Sequence, residues 1–373
     1  MKPSLPQRVL FVRPSLGQGG ADRVTIQLLK HLDRDAYQPE LALIHTSGVF
    51  LDDVPKDVPV HSLGARNLWF TTRPLAKLIK KGEYDVIYST STGTNIPTCL
   101  VKWFYRLPGT YVISERNTVD RGDGIKQRLL ATLKKTLYRR ADWVTAVSEA
   151  IRKQILDQFS VAPNKAVVVH NPLIDDALHM AKQQSVEHPY FEGDTPVILA
   201  AGRMVDAKNF TMLMEAFKLV LDNQDARLCI LGDGPKLDQL KKQACDLGIE
   251  SKVAFPGFDK NPYKFMSACD VFVLSSNFEG MPGVLVQALA SGAACVATDC
   301  PTGPNELIEH GENGFLVPVG NAEITAQRIL DLLEEPKLRE SFKSKSPGSV
   351  QRFETQTAIE SYFSFLGTQQ INA

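Results

Sequence analysis

Residues 275–298 read SSNFEGMPGVLVQALASGAACVAT, and this stretch decides the fold. Just before it stands Asp270-Val-Phe-Val-Leu274, an apolar run of buried-strand length. A polar loop follows, and Pro282 opens a short helix. Proline suits the first helical position because its missing N–H is not needed there. Ser291-Gly292 closes that helix as a C-cap, and Ala293 to Thr298 is the next strand. Such a unit puts Glu279 and Gly280 outside the carboxyl end of a strand, facing a helix N-terminus. Open α/β sheets bind anionic ligands there.

Outward from this unit, strand and helix patterns alternate in both directions. In the first half the strands read Arg8–Arg13, Leu41–Ile44, Val58–His61, Asp85–Tyr88, Thr110–Ile113, Ala141–Val147 and Lys165–His170. In the second half they read Pro196–Ala201, Arg227–Leu231, Lys252–Phe255, Val271–Leu274, Ala294–Ala297 and Gly314–Val317. A βαβ series of this kind gives parallel sheets covered by helices. A length of 373 residues suits two domains of ordinary size. The expected boundaries are 1–175 for the first domain and 190–350 for the second. Residues 182–194, KQQSVEHPYFEGD, lack periodicity and read as a linker. The remainder, 351–373, carries an amphipathic helix from Glu354 to Leu366 that can pack back on the first domain.

Acidic and basic residues balance at 42 each, so no global field points to nucleic acid. No apolar run is long enough to span a bilayer. Arg13 interrupts the N-terminal apolar run too soon for a signal peptide. A cytoplasmic protein is expected. The six cysteines form no CxxC pair and sit mostly in apolar segments, as buried thiols do.

Several strand-end segments admit a chemical reading beside a plain one. Gly17-Gln-Gly19-Gly20 joins the first strand to a helix, and its N–H groups can approach a phosphate or sugar. Turn geometry alone also accounts for it. Arg203 and Lys208 follow the first strand of the second half and can hold a diphosphate as fork and point charge. The alternative is a solvated turn. Gly257-Phe258 can border a nucleobase or form a simple turn. Glu279 is placed to accept bonds from sugar hydroxyls, or it complements the helix N-terminus. Ser114-Glu115-Arg116-Asn117 brings polar groups to strand ends of the first domain, or it is a helix cap with surface charge. The basic helix Gly124–Arg140, with Val101–Arg106 before it, can touch an anionic membrane or present an ordinary solvated face. Asp33-Arg-Asp35 has the spacing by which some sugar transferases hold a metal, but it sits in a polar stretch after a helix and reads as a loop.

The order of these motifs resembles that of the retaining, nucleotide-sugar-dependent glycosyltransferases of family four. The resemblance runs over nearly the full length. It rests on Gly19-Gly-Ala-Asp-Arg23, Ser148-Glu149, His170-Asn-Pro172, Ala201-Gly-Arg203 with Lys208, and Gly232-Asp-Gly-Pro235. Phe278-Glu-Gly-Met-Pro-Gly-Val-Leu-Val-Gln287, Asp299–Glu306 and Gly311–Val317 complete it. The family's architecture, which the resemblance implies here, is α/β with two Rossmann-like domains facing a central cleft, known as GT-B. The implied activity is transfer of a hexosyl or N-acetylhexosaminyl group from a nucleotide-diphosphate donor, with UDP the expected carrier, to a glycan or lipid-linked glycan.

The resemblance also assigns roles. Arg203 and Lys208 would hold the donor diphosphate, helped by the backbone of Gly280, Met281, Pro282, Gly283 and Val284. Glu279 is the first acid of the family's Glu-x7-Glu pattern and would contact the donor sugar. Gln287 stands where the second acid normally binds ribose, so charge-assisted strength is lost there. Gly19, Gly20, Gly257 and Phe258 would complete the donor site, and Glu115, Arg116 and Asn117 would face the acceptor. Arg116 stands where many members carry a histidine, and a permanently protonated guanidinium cannot act as a base. An acceptor-phosphate contact or a structural role fits it instead. The implied mechanism retains anomeric configuration by same-face attack and needs neither metal nor cofactor. The subgroup that builds bacterial surface glycans on lipid carriers has a similar Asp299–Pro304 segment. That likeness and the basic helix give the expectation of a peripheral place at the inner face of the cytoplasmic membrane. Three alternatives remain: an epimerase of the same architecture, a non-catalytic subunit binding sugar nucleotides, and a periplasmic-type sugar-binding protein, the last opposed by the missing signal peptide.

Overall fold

The computed structural model describes residues 5–17, 19–65, 68–116 and 125–366. Two compact units divide the chain, Met1–Pro172 with Thr355–Ala373, and Leu173–Glu354.

The first unit is built on strands β1 (Gln7–Arg13), β2 (Tyr37–Leu43), β3 (Val60–Ser62), β4 (Val86–Ser89), β5 (Thr110–Glu115), β6 (Trp143–Ala146) and β7 (Ala166–Val168). Their order is β3-β2-β1-β4-β5-β6-β7, and the pairs are parallel. The direction of winding reverses between β1 and β4, which makes that gap the switch point. The central strands are apolar throughout because helices cover both faces. Leu10, Val12, Ala42 and Ile87 pack with Leu75 and Ile79 of the helix Leu68–Gly82.

The helix Thr355–Tyr362 and the turn after it belong to this unit. Phe363 lies against the rings of Phe11, Tyr37 and Tyr88, and Phe365 lies against Trp143. Burying each such ring contributes about 1.5–3 kcal/mol, so the end of the chain is part of the first unit's core.

The second unit contains β8 (Val197–Ala201), β9 (Arg227–Leu231), β10 (Val253–Gly257), β11 (Val271–Leu274), β12 (Cys295–Thr298) and β13 (Phe315–Val317). The order β10-β9-β8-β11-β12-β13 puts its switch point between β8 and β11. On the helix Phe210–Leu221, the residues Phe210, Leu213, Phe217 and Val220 recur at helical spacing and are buried.

Two expectations need correction. The segment 182–194 is not a linker but part of the second unit. Arg227 Nη1 donates to the carbonyls of Pro189, Tyr190 and Glu192, and Ser267 Oγ donates to Lys182 O. It lacks apolar periodicity because backbone carbonyls, not a hydrophobic stripe, hold it. Also, Pro282 caps the short helix from outside, and the helix runs Gly283–Ala290. Of the six cysteines, five are buried and Cys245 is exposed.

Candidate functional site

In the second unit, the loops after β8 and β11 meet at the switch point. β8 ends at Ala201, and Gly202 takes φ +155°, a value that side chains rarely adopt. A Cβ there would come within 3.1 Å of Lys208 Cε, so the glycine lets the lysine side chain lie across the strand end. Asn209 turns left-handed and caps the next helix by accepting from Met212 N. The two loops are laced together. Ser275 Oγ donates to Lys208 O at 2.7 Å, Asn277 N to Ala207 O at 2.8 Å, and Asn209 Nδ2 to Asn277 Oδ1 at 2.9 Å.

This lacing brings Lys208 to Glu279. Lys208 Nζ donates to Glu279 Oε1 at 2.5 Å, and Ser276 Oγ donates to the same oxygen at 2.6 Å. The backbone of Glu279 is held from behind, where Thr302 Oγ1 donates to its carbonyl. Gly303, at φ +94°, allows Pro282 to approach so closely that a Cβ would stand 2.5 Å from Pro282 Cδ. Gly280, Met281 and Pro282 are buried, while Gly283 and Val284 are half-buried in the first helical turn. The N–H groups of Gly283 and Val284 are among those that a helix leaves unbonded; the first backbone bonds of the turn run from Leu285 and Val286 to Pro282 O.

Arg203 lies on the same loop as Lys208 with an exposed side chain. Gln287 is buried, and its Nε2 donates to Tyr263 OH at 3.3 Å. Gly257 has φ +89° at the end of β10, and Phe258 beside it is exposed. Cys300 is buried, and burial, reinforced by the charge of Glu279, pushes its thiol up to about 11. It stays protonated at neutral pH and is no nucleophile. Gly232 and Gly234 serve geometry: a Cβ on either would strike backbone atoms, of Gly202 or of Met204.

The first unit has its own polar cluster at the β1/β4 switch point. Arg13, the last residue of β1, is 4% exposed. Its Nη2 pairs with Asp22 Oδ1, and its Nη1 donates to Thr90 Oγ1 at 2.6 Å, just past β4. Asp22 Oδ2 also accepts from Gly19 N at 3.1 Å, which ties the exposed Gly19-Gly20 turn to the strand end. Arg116, one residue past β5, donates from Nη2 to Tyr362 OH at 2.8 Å. Burial pulls the Arg13 guanidinium below its ordinary value; Asp22 opposes this, and the charge of Arg116 adds to it.

Of the residues expected on the acceptor side, Glu115 and Arg116 part company. Glu115 is buried and accepts from Lys134 Nζ at 3.1 Å and from Tyr138 OH, on the helix Ile125–Tyr138. Asn117 lies outside the described residues. Asp22 lies inside the Gly19–Arg23 motif without a role of its own, and Arg13 and Tyr362 carry no site expectation from the sequence. An arginine ending an apolar strand is a signal that was there to be used; Tyr362 gave none, because it arrives from the far end of the chain.

Residues 18–176 match the family described as Glycosyltransferase Family 4, and residues 182–348 match Glycosyl transferases group 1. The chain is 30% identical to a Campylobacter jejuni enzyme over 91% of this chain and 94% of that one. The relative is named N-acetylgalactosamine-N,N'-diacetylbacillosaminyl-diphospho-undecaprenol 4-alpha-N-acetylgalactosaminyltransferase. A Rhizobium meliloti lipopolysaccharide core biosynthesis glycosyltransferase, LpsE, is 33% identical over 47% of this chain and 51% of its own length. Among solved structures, Anabaena Alr3699/HepE in complex with UDP superposes with a TM-score of 0.80 at 22% identity, over 97% of this chain and 100% of that one. A glycosyltransferase from Rickettsia africae gives 0.81 at 18% identity, over 99% and 100%. These likenesses place both units in the GT-B fold.

Proposed function

This chain belongs to the family-four glycosyltransferases, and on that premise we propose that it moves a sugar from a UDP-linked donor to a hydroxyl of a lipid-linked glycan, with retention and without a metal. The observation that carries the reading is the Lys208–Glu279–Ser276 group beside the first turn of the helix Gly283–Ala290. It combines a cation and N–H donors, suited to a diphosphate, with a carboxylate suited to sugar hydroxyls. As the glycosidic bond to the diphosphate breaks, positive character builds on the sugar and negative charge on the leaving group. Arg203 and Lys208 stabilise that negative charge, and the first-turn N–H groups of Gly283 and Val284 add to them. Glu279, released from Lys208 by the phosphate, accepts from the sugar. The leaving phosphate takes the acceptor proton. Gln287 offers its amide to the ribose while resting on Tyr263.

The nucleotide is supported by HepE, solved with UDP, and the acceptor class by the diphospho-undecaprenol in the name of the Campylobacter relative. No helix among the described residues is long and apolar enough to cross a membrane. The first unit nevertheless exposes Leu129 and Leu130 on a basic helix, and Phe104 and Tyr105 elsewhere, which supports peripheral contact with an anionic bilayer. The test is a panel of nucleotide sugars scored by thermal shift, followed by mass detection of product with lipid-diphosphate-linked glycans, with and without EDTA. Product formed from one UDP-sugar and unaffected by EDTA is the expected result. An epimerised sugar from donor alone would overturn the assignment, and indifference to anionic liposomes at low salt would remove the membrane contact.

A further inference from the structure

We propose that the β1/β4 switch point of the first unit is a second anion site, built by Arg13, Arg116 and the N-terminus of the helix Thr92–Leu100, and that it takes a phosphate carried by the acceptor. The identity of that ligand as an acceptor rests on the transferase reading; the site itself rests on charge and hydrogen bonding within the first unit.

Charge is the first argument. Two guanidiniums end side by side here, near enough for Arg116 to disfavour the charge on Arg13. Among the described residues one carboxylate answers them, that of Asp22, and it is bonded to Arg13. Thr90, Tyr88 and Tyr362, the other groups in contact, are neutral hydroxyls. Glu115 follows the same strand end but is paired with Lys134 and so brings no net charge. Among the described residues one positive charge is left over in a place from which water is largely withdrawn, and such charges need a partner.

Unspent donors are the second argument. Among the described residues, Nε of Arg13 and both Nε and Nη1 of Arg116 are buried without an acceptor. With Nη2 given to Tyr362, Nε and Nη1 of Arg116 each keep an N–H for a charge-assisted bond to a phosphate oxygen. The third argument is the adjoining helix. Its N-cap Ser91 makes no side-chain capping bond, and Ser91 Oγ meets Thr94 Oγ1 at 3.1 Å instead. Thr94 N and Asn95 N bond to Ser91 O, which leaves Thr92 N and Gly93 N as first-turn donors. Strand ends at a switch point are where a doubly wound sheet receives its ligand. Tyr362 is a positioning residue in this scheme: it accepts from Arg116 and from Tyr88, and so fixes the fork from the chain's last helix.

The test uses the full chain and separates this site from the donor site. In a background carrying Arg203→Ala and Lys208→Ala, inorganic pyrophosphate is titrated by calorimetry. Binding that persists there and weakens about tenfold or more with Arg116→Gln supports the site, tenfold being the effect of losing one charge-assisted bond. Arg116→Lys, which keeps the charge and loses the fork, should recover part of it. Pyrophosphate binding indifferent to Arg116 would overturn the proposal. The second arm compares a neutral glycan acceptor with the same glycan on an alkyl phosphate. The expected result is a preference of about tenfold or more for the phosphate form, expressed in KM, that Arg116→Gln abolishes while kcat stays within a few-fold. Equal use of the two acceptors, or a preference that survives the substitution, would overturn the acceptor assignment. Loss of transfer to every acceptor, with pyrophosphate still bound through Arg116, would instead fail the transferase reading and leave the site standing.

Discussion

The two sheets of this chain end in the same sum of charges and treat it in opposite ways. At the β8/β11 switch point Lys208 pairs with Glu279 and Arg203 shares its loop; at the β1/β4 switch point Arg13 pairs with Asp22 and Arg116 stands near Arg13. In the second unit Arg203 is exposed and the Lys208–Glu279 pair half-buried. In the first unit the central cation is buried at the end of a strand, and its carboxylate also holds a glycine turn. The lysine side chain of the half-buried pair keeps 19% of its surface against 5% for Arg13, so the lysine is the cation that a ligand can reach. A buried pair is costly to break from one side. One end is therefore arranged to trade partners and the other to keep its framework rigid.

The comparison breaks most visibly at Arg13. Arg13→Ala strands Asp22 and Thr90 in the interior, and a loss of about 3–5 kcal/mol is expected in urea unfolding of the first unit. Lys208→Ala should cost less than that by the same measurement, because Glu279 keeps its bond from Ser276 and the lysine side chain is less buried than that of Arg13. If the two substitutions destabilise equally, the contrast between the ends is wrong. Activity should order them the other way for the chemical step. Lys208→Ala or Arg203→Ala is expected to lower kcat/KM by about a hundredfold or more with the fold intact. Near-normal turnover in both variants would remove them from the donor site.

Glu279→Gln sharpens the picture because its effects should have opposite signs. Transfer falls by about tenfold as a charge-assisted bond to the sugar is weakened. UDP itself binds about threefold more tightly, since Lys208 no longer has a carboxylate to leave. A parallel loss of both would mean that Glu279 acts only by holding the loop. The smallest change expected is at Gln287. Gln287→Glu restores a carboxylate against the ribose and should tighten UDP by a few-fold in calorimetry. No change would show that Tyr263 already keeps that side chain away from the nucleotide.

The apolar strand runs, the glycine turns and the loop around Glu279 were legible because each is local. Period, punctuation and strand-end position lie within a few residues of one another. Lys208 and Glu279, 71 residues apart, came together in the sequence only through the family pattern. Gln287 takes its expected ribose position from the family pattern alone; its buried bond to Tyr263 depends on a neighbour 24 residues away. The segment 182–194 reads as a linker because side chains of Arg227 and Ser267 hold it by its carbonyls, which leaves no mark in hydrophobic pattern. Arg13 was passed over as the end of a strand, although a charge closing an apolar run must find a partner.

The helix that carries Tyr362 bears on how the protein is made. The second unit is an insertion in the first, and Tyr362, Phe363 and Phe365 are translated after all of it. During synthesis from the N-terminus, the second unit can finish its core while the first still lacks these rings. The unit begun earliest is thus completed last. A chain that stopped before Tyr362 would leave the second unit's core complete and the first unit's core open.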